Sequence, residues 1–209
     1  MFYFCECQNE QCRFRYPVTD GRIGLDACPR CGGKTTIIHT ITTTPQKTAP
    51  LPTKEQLSAL LDNIRSVYNV GSIFRTADGA GLRHLYLGGI TAPPTHPKIA
   101  KTALGAESSI GWSHHLNSVE TAVSLKQQGH QLWALETAPN AIPLPKAKLP
   151  DHQPVTLIIG NEIAGIDPGL LALSDYILKI PMRGIKESLN VATAFGIAVY
   201  QLLDWDAEI

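Results

Sequence analysis

The sequence predicts an α/β protein: a parallel sheet covered by helices on both faces, preceded by a small cysteine-rich unit. Three observations carry this reading. Apolar runs of strand length alternate with helix-length segments through the last three quarters of the chain. One run, Val155 to Ile159, is apolar at every position but Thr156, as in strands buried on both faces. All five cysteines fall within the first 31 of 209 residues. Composition adds exclusions. With 44% apolar and 17% charged residues the chain is not of the disordered class. Eighteen Lys plus Arg balance eighteen Asp plus Glu, so it is no broadly basic nucleic-acid binder, and any such contact must be local. No apolar stretch approaches the roughly 18–20 residues of a membrane-spanning helix. Met1 to Phe4 do not begin a basic-then-apolar secretory leader, and the expectation is a cytoplasmic protein without membrane contact.

The first unit is read from its thiols. Cys7-x4-Cys12 and Cys28-Pro-Arg-Cys31-Gly-Gly present two thiolates each from tight turns, the arrangement of a four-thiolate tetrahedral zinc site. Cys5 competes with Cys7 for the fourth position. Disulfides are the alternative, but an odd cysteine count and the absence of an export signal disfavour them. Four thiolates leave no open coordination position, so such a zinc is structural and supplies most of the folding energy of a segment too small for its own core. Arg13, Phe14, Arg15, Tyr16, Arg22, Arg30 and Lys34 surround the cysteines, a mixture that suits phosphate contact and base stacking, or, in the plainer reading, a solvated surface over a core of Phe14 and Tyr16. The Thr- and Pro-rich stretch from 40 to 53 reads as extended. It places a zinc-ribbon-like domain at residues 1–45, a linker at 46–53 and the main domain at 54–209.

In the main domain, Thr53 to Gln56 has the pattern of a capping box opening a helix through Leu57, Leu60, Leu61 and Ile64. A helix is expected over Val70–Ala80, with Asn69 as its N-cap in the plainest reading. A strand follows at His84–Leu87, a helix near Lys98–Leu104 and a strand near Ile110–His115. Ser118 can cap a helix that stops at Gly129, and Gln131–Glu136 reads as a strand. Val155–Ile159 and Tyr176–Ile180 are strands of the buried kind. Leu189–Leu203 carries Val191, Ala194, Phe195, Ala198, Val199 and Leu202 at helical spacing.

Three segments hold polar residues that packing does not ask for. Asn63 to Arg75 contains Arg65, Asn69, Gly71 and Arg75; an arginine there can clamp phosphate or stabilise an oxyanion. Gly160-Asn161-Glu162 ends a buried strand at the carboxyl edge of a parallel sheet, where open α/β folds bind ligands. Neither GxGxxG nor GxxxxGK[ST] spacing is present, so dinucleotide and P-loop nucleotide sites are not indicated. Ile180 to Val191 leads through a glycine-containing loop to Ser188, Leu189 and Asn190 at the start of the last helix.

In this order and at these separations, the segments from Asn63 to Leu203 resemble the motifs of the SPOUT superfamily, in particular the SpoU/TrmH-type RNA ribose 2′-O-methyltransferases. The resemblance implies a Rossmann-like parallel sheet whose C-terminal part is threaded into a trefoil knot, a homodimer with composite sites, and S-adenosylmethionine as cofactor. It assigns Gly160, Ile180 and Leu189 to cofactor contact, and Asn69, Arg75, Glu162, Ser188 and Asn190 to the active site, with Glu162 orienting its loop or Arg75. The implied substrate is tRNA or rRNA, with Arg13, Arg15 and Arg65 as candidate RNA contacts. A different class, a catalytically silent RNA-binding or ribosome-assembly factor, shares the fold. Glu187 adds an anion beside the pocket unless Lys186 or Arg183 pairs with it. Residues 1–85 carry ten basic against seven acidic residues and the chain from Gln131 onward five against nine, which favours RNA contact on the N-terminal side.

Overall fold

The computed structural model describes residues 1–19, 27–42 and 56–203. The chain divides into two compact units, Met1–Ala49 and Pro50–Ile209. The expected linker at 46–53, Arg22 and most of the expected capping box lie outside the described residues.

In the first unit, β1 (Phe2–Cys7), β2 (Arg15–Thr19) and β3 (Thr35–Ile41) form an antiparallel sheet with β1 in the centre. Strict alternation along β1 and β2 turns Cys5, Tyr16 and Val18 to one face, where they make a small core with Tyr3, and Phe2, Phe4, Arg15 and Pro17 to the other. Of the two expected core aromatics, Tyr16 is buried there, while Phe14 stacks on it with ring centroids 5.6 Å apart and stays partly exposed.

The second unit contains a seven-stranded, all-parallel sheet. Its elements in chain order are β4 (Leu57–Asp62), α1 (Val67–Gly79), β5 (His84–Gly88), α2 (Ala100–Ala103), β6 (Gly111–His115), α3 (Ser118–Gln127), β7 (Gln131–Leu135), β8 (Ile142–Pro143), β9 (Val155–Ile159), α4 (Pro168–Leu173), β10 (Tyr176–Lys179) and α5 (Val191–Leu202). The order across the sheet is β6-β5-β4-β9-β7-β10-β8. One face packs under α1 and α5 through Phe74, Ile73, Phe195 and Val199; the other packs under α3 and α4 through Leu60, Leu125, Ile158 and Leu170. No helix among the described residues is long and apolar enough to cross a membrane.

The helix expected from Leu57 is a strand. β4 is buried at all six positions and pairs in parallel with β5 and β9. Leu57, Leu60 and Leu61 have helical spacing, but a central strand is apolar on both faces and periodicity cannot tell the two apart. Helix caps are also shifted. Ser66, not Asn69, caps α1; Asn117, not Ser118, caps α3 by accepting from the amides of Val119 and Glu120; and α5 is capped by Asn190. In each case the capping residue is the one whose side-chain oxygen lies within reach of amides two or three positions ahead.

Gly71 marks the close approach of α1 to the segment around α2. A Cβ there would lie 2.1 Å from Thr102 Oγ1 and 2.7 Å from the Ile99 carbonyl oxygen. Alanine ordinarily gains ~1 kcal/mol over glycine inside a helix. At this position the clash outweighs that gain, and Gly71→Ala is expected to lose ~1–3 kcal/mol of stability, read as a lower urea midpoint with an unchanged m-value.

Candidate active site

The three polar segments meet at the carboxyl edge of the sheet. β9 ends at Gly160, where a Cβ would lie 2.3 Å from the Gly165 carbonyl carbon, so only glycine lets the loop 160–165 fold back on itself. Asn161 shapes that loop: its Oδ1 accepts from the amides of Ile163 and Ala164, and its Nδ2 donates to the Asn63 carbonyl at 2.7 Å. Below it, the buried Asp62 carboxylate accepts from Asn63 Nδ2 and from the Asp167 amide. The loop is therefore anchored to the end of β4 on both sides.

So held, Glu162 reaches the start of α1. Its carboxylate accepts from the amides of Arg65 at 2.9 Å and Ser66 at 3.0 Å, and from Asn69 Nδ2 at 2.9 Å. Asn69 Oδ1 in turn accepts from Asn190 Nδ2 at 3.1 Å, and Asn190 Oδ1 caps α5 through the amides of Ala192 and Thr193. One relay, Asn190 to Asn69 to Glu162, thus joins all three segments. Burial raises the Glu162 pKa, but hydrogen bonds from Arg65, Asn69 and Ser66 outweigh it and hold the carboxyl below its ordinary value.

These loops enclose a cavity of about 710 Å³. Gly160, Glu162, Ile180, Ser188, Leu189 and Asn190 all line it, and Asn69 joins through the relay. The volume lies in the range of cofactor pockets, ~300–1,000 Å³. Apolar walls from Leu135, Ile159, Ile180 and Val191, with carboxylates at Glu136, Glu162 and Glu187 and the ammonium of Lys179, suit a partly apolar ligand that carries charge. One wall escaped the sequence reading: Glu136 and Thr137, at the end of β7. Glu136 accepts from the amides of Ile166 and Thr137. Its position at a parallel strand's carboxyl end is the signal that could have marked it.

Arg75 is not part of this assembly. It is exposed, does not line the cavity, and its side chain makes no hydrogen bond or ion pair among the described residues; Glu162 orients its own loop and α1 rather than Arg75. Six residues beyond Asn69, it lies about 240° around the helix from it. The Arg65 side chain likewise projects to solvent, with only its amide bound to Glu162. Glu187 has no ion pair with Lys186 or Arg183 among the described residues and faces the cavity unneutralised.

In the first unit, the sulfurs of Cys7, Cys12, Cys28 and Cys31 lie within 4.8 Å of one another, with Cys7–Cys31 at 3.5 Å and Cys12–Cys28 at 3.9 Å. A tetrahedral ion with metal–sulfur bonds of ~2.3 Å requires sulfur separations of ~3.8 Å. Cys5 is not in the cluster but in the small core beside Tyr16, and all five cysteines are free thiols. Burial, then the neighbouring thiols, push Cys7 up to about 12, while at Cys28 the amides of Arg30 and Cys31 overcome burial and bring it to about 7. Any metal must therefore displace protons, and its affinity falls as the pH is lowered.

The main unit's geometry has known counterparts. The SpoU rRNA Methylase family is matched over residues 56–200. This chain belongs to that family. It is 35% identical over 170 residues to the 23S rRNA (guanosine(2553)-2′-O)-methyltransferase RlmP of Bacillus subtilis, covering 78% of this chain and 67% of that one. It is 28% identical over 149 residues to the tRNA (guanosine(18)-2′-O)-methyltransferase of Aquifex aeolicus, covering 71% and 69%. The AdoMet-bound rRNA methyltransferase structure from Sinorhizobium meliloti superposes with a TM-score of 0.65 at 29% identity, over 71% of this chain and 56% of that one. The chain spans half the length of the uncharacterized mycobacterial tRNA/rRNA methyltransferases that it matches. Within this SpoU chain the cysteine unit lies outside the matched residues.

The depressed Glu162 pKa makes a sign-definite prediction. The carboxylate's stabilisation is present at neutral pH and is lost as the pH falls through the folded value, below the ordinary 4.5. Chemical unfolding should show Glu162→Gln less stable than the parent at pH 7, with the difference shrinking as the pH falls below 4.5.

Proposed function

We propose that this chain is an S-adenosylmethionine-dependent methyltransferase acting on a ribose 2′-hydroxyl of tRNA or rRNA, working as a homodimer in the cytoplasm, with a structural zinc in its first unit and the C-terminal trefoil knot of the SPOUT fold. The observation that carries the reading is the relay from Asn190 through Asn69 to Glu162, which draws three sequence-distant segments around one cofactor-sized cavity. The names of the relatives, which include both rRNA and tRNA ribose methyltransferases, support the substrate class.

When bound, S-adenosylmethionine supplies a sulfonium-activated methyl group, so that an oxygen–carbon bond forms at the ribose as the sulfur–carbon bond breaks and S-adenosylhomocysteine leaves. Gly160, Ile180 and Leu189 line the cofactor's place, the loop backbone giving shape and hydrogen bonds. Ser188 and Asn190, at the cavity wall, position the ribose in line with the methyl. A guanidinium stays protonated at any physiological pH, so Arg75 is not the base; it binds the target phosphate and stabilises charge developing on the 2′-oxygen, and the departing proton passes to that phosphate or to water.

Arg75 lies off its own protomer's cavity, which supports the dimer: a second copy brings its Arg75 to the site. Tyr68 on α1 and Ile197 and Tyr200 on α5 are exposed and offer an apolar face for that contact. Zinc fits the sulfur tetrahedron. Arg13 and Arg15 remain the candidate RNA contacts of the first unit, and Arg65 that of the second.

Three outcomes test this. Labelled S-adenosylmethionine and unmodified total RNA should yield label in a 2′-O-methylnucleoside, with Arg75→Ala reducing transfer ~100-fold or more and leaving cofactor affinity intact; cofactor binding without transfer to any RNA would instead favour the silent assembly factor. Mixing Arg75→Ala with Asn190→Ala chains should restore activity, because each hybrid dimer regains one intact site; no recovery contradicts a shared site. Metal analysis should find one zinc per chain, lost in Cys28→Ser and kept in Cys5→Ser.

A further inference from the structure

Among the described residues, the sheet of the first unit has one face without a core. Phe2 and Phe4 on the central strand β1 point to it and are 41% and 36% exposed. Cross-strand pairing sets Phe2 between Thr19 and Ile41, and Phe4 between Pro17 and His39. The next pair on the same face is Glu6 with Arg15. Arg13 and Arg15 both approach the Glu6 carboxylate, at 2.9 and 3.6 Å, while their side chains stay 72% and 57% exposed. The face is thus a two-ring aromatic strip with a cationic border, two guanidinium groups against one carboxylate. On the opposite face, by contrast, Cys5, Tyr16 and Val18 are buried.

We propose that this face, centred on Phe2 and Phe4, binds single-stranded RNA by stacking one base on each ring, with Arg13 and Arg15 on the phosphates between. The proposal rests on RNA being the substrate. Side chains two apart on a strand share a face and stand about 7 Å apart, which leaves room for a base on each ring. Unpaired bases stack on exposed aromatics of a sheet without regard to sequence, and an adjacent cationic edge tracks the backbone. A paired helix offers no free base faces, so the arrangement discriminates against duplex. Charge complementarity favours this occupant over an apolar protein surface, which would leave both arginines to be desolvated without phosphate partners. The site also revises which aromatics are available: Tyr16 is buried in the core and cannot stack, whereas Phe2 and Phe4 can.

The test uses the full chain loaded with zinc and a fluorescein-labelled, ten-nucleotide single-stranded RNA of mixed sequence, read by anisotropy. The paired variant Phe2→Leu/Phe4→Leu keeps apolar area and strand propensity but removes the ring faces. It should bind about tenfold more weakly, with zinc content unchanged and the salt slope of log K unaltered. Arg15→Gln should flatten that slope by about 0.7. Phe2→Tyr/Phe4→Tyr should bind like the parent. Should the leucine pair disturb zinc retention, Phe4→Trp against Phe4→Ile carries the same comparison, tryptophan binding at least as tightly as the parent and isoleucine several-fold more weakly. Unchanged affinity in the leucine pair overturns the proposal, as does an equal loss on fully paired duplex RNA, or a change in oligomeric state without a change in RNA affinity. Methyl transfer by the parent with strand affinity unchanged in the leucine pair overturns this face alone. Strand affinity lost in the leucine pair, in a parent that transfers methyl to no RNA, overturns the enzyme reading alone.

Discussion

The Glu162 carboxylate is the constraint on which the site depends. It stands on a loop after the central strand β9 and accepts three hydrogen bonds, two from the backbone at the start of α1 and one from Asn69. A carboxylate is the suitable group because the first amides of a helix lack intrahelical partners and carry the positive end of its dipole. Through Asn69 the same anchor extends to Asn190 and hence to the start of α5. Loosening it would free the first turn of α1, the loop 160–165 and the entry to α5 together, and the last two are walls of the cavity.

That arrangement explains why residues 121 positions apart form one site. A parallel sheet brings the carboxyl ends of β4, β7, β9 and β10 to one edge, so every loop leaving that edge is a candidate wall. The buried Asp62, the Asn63 turn with its φ of 56° and Asn161 fix where the loop after β9 begins. Structural and chemical duties overlap in single residues: Asn190 is a helix cap and a cavity wall at once. A substitution there changes both, and stability must be measured beside activity to separate them.

The two units solve the problem of stability differently. The main unit buries Phe74, Phe195 and a full set of aliphatic side chains on two faces of its sheet. The first unit has Cys5, Tyr16, Val18 and little else, so the four converging thiols must do what a core does elsewhere. Because so little is buried, aromatic side chains on the other face of its sheet stay exposed and available for contact.

The sequence by itself determined the cysteine-rich first unit, the alternation of strand and helix, the family, and nearly all the polar residues at the cavity, because each is written in local spacing: Cys28 to Cys31, the apolar run at β9, the glycine and asparagine of Gly160-Asn161-Glu162. It could not decide between strand and helix for Leu57–Asp62, since burial on both faces erases the periodicity that separates them. Nor could it exclude Cys5 as a ligand or give Phe2 and Phe4 their open face, which strand register alone assigns. The tertiary structure decided the rest: that Glu162 binds α1 and not Arg75, that Glu136 and Thr137 complete a wall, and that Arg75 lies off its own cavity. Those are outcomes of which chain ends a folded sheet brings within hydrogen-bond reach, a distance that sequence separation does not encode.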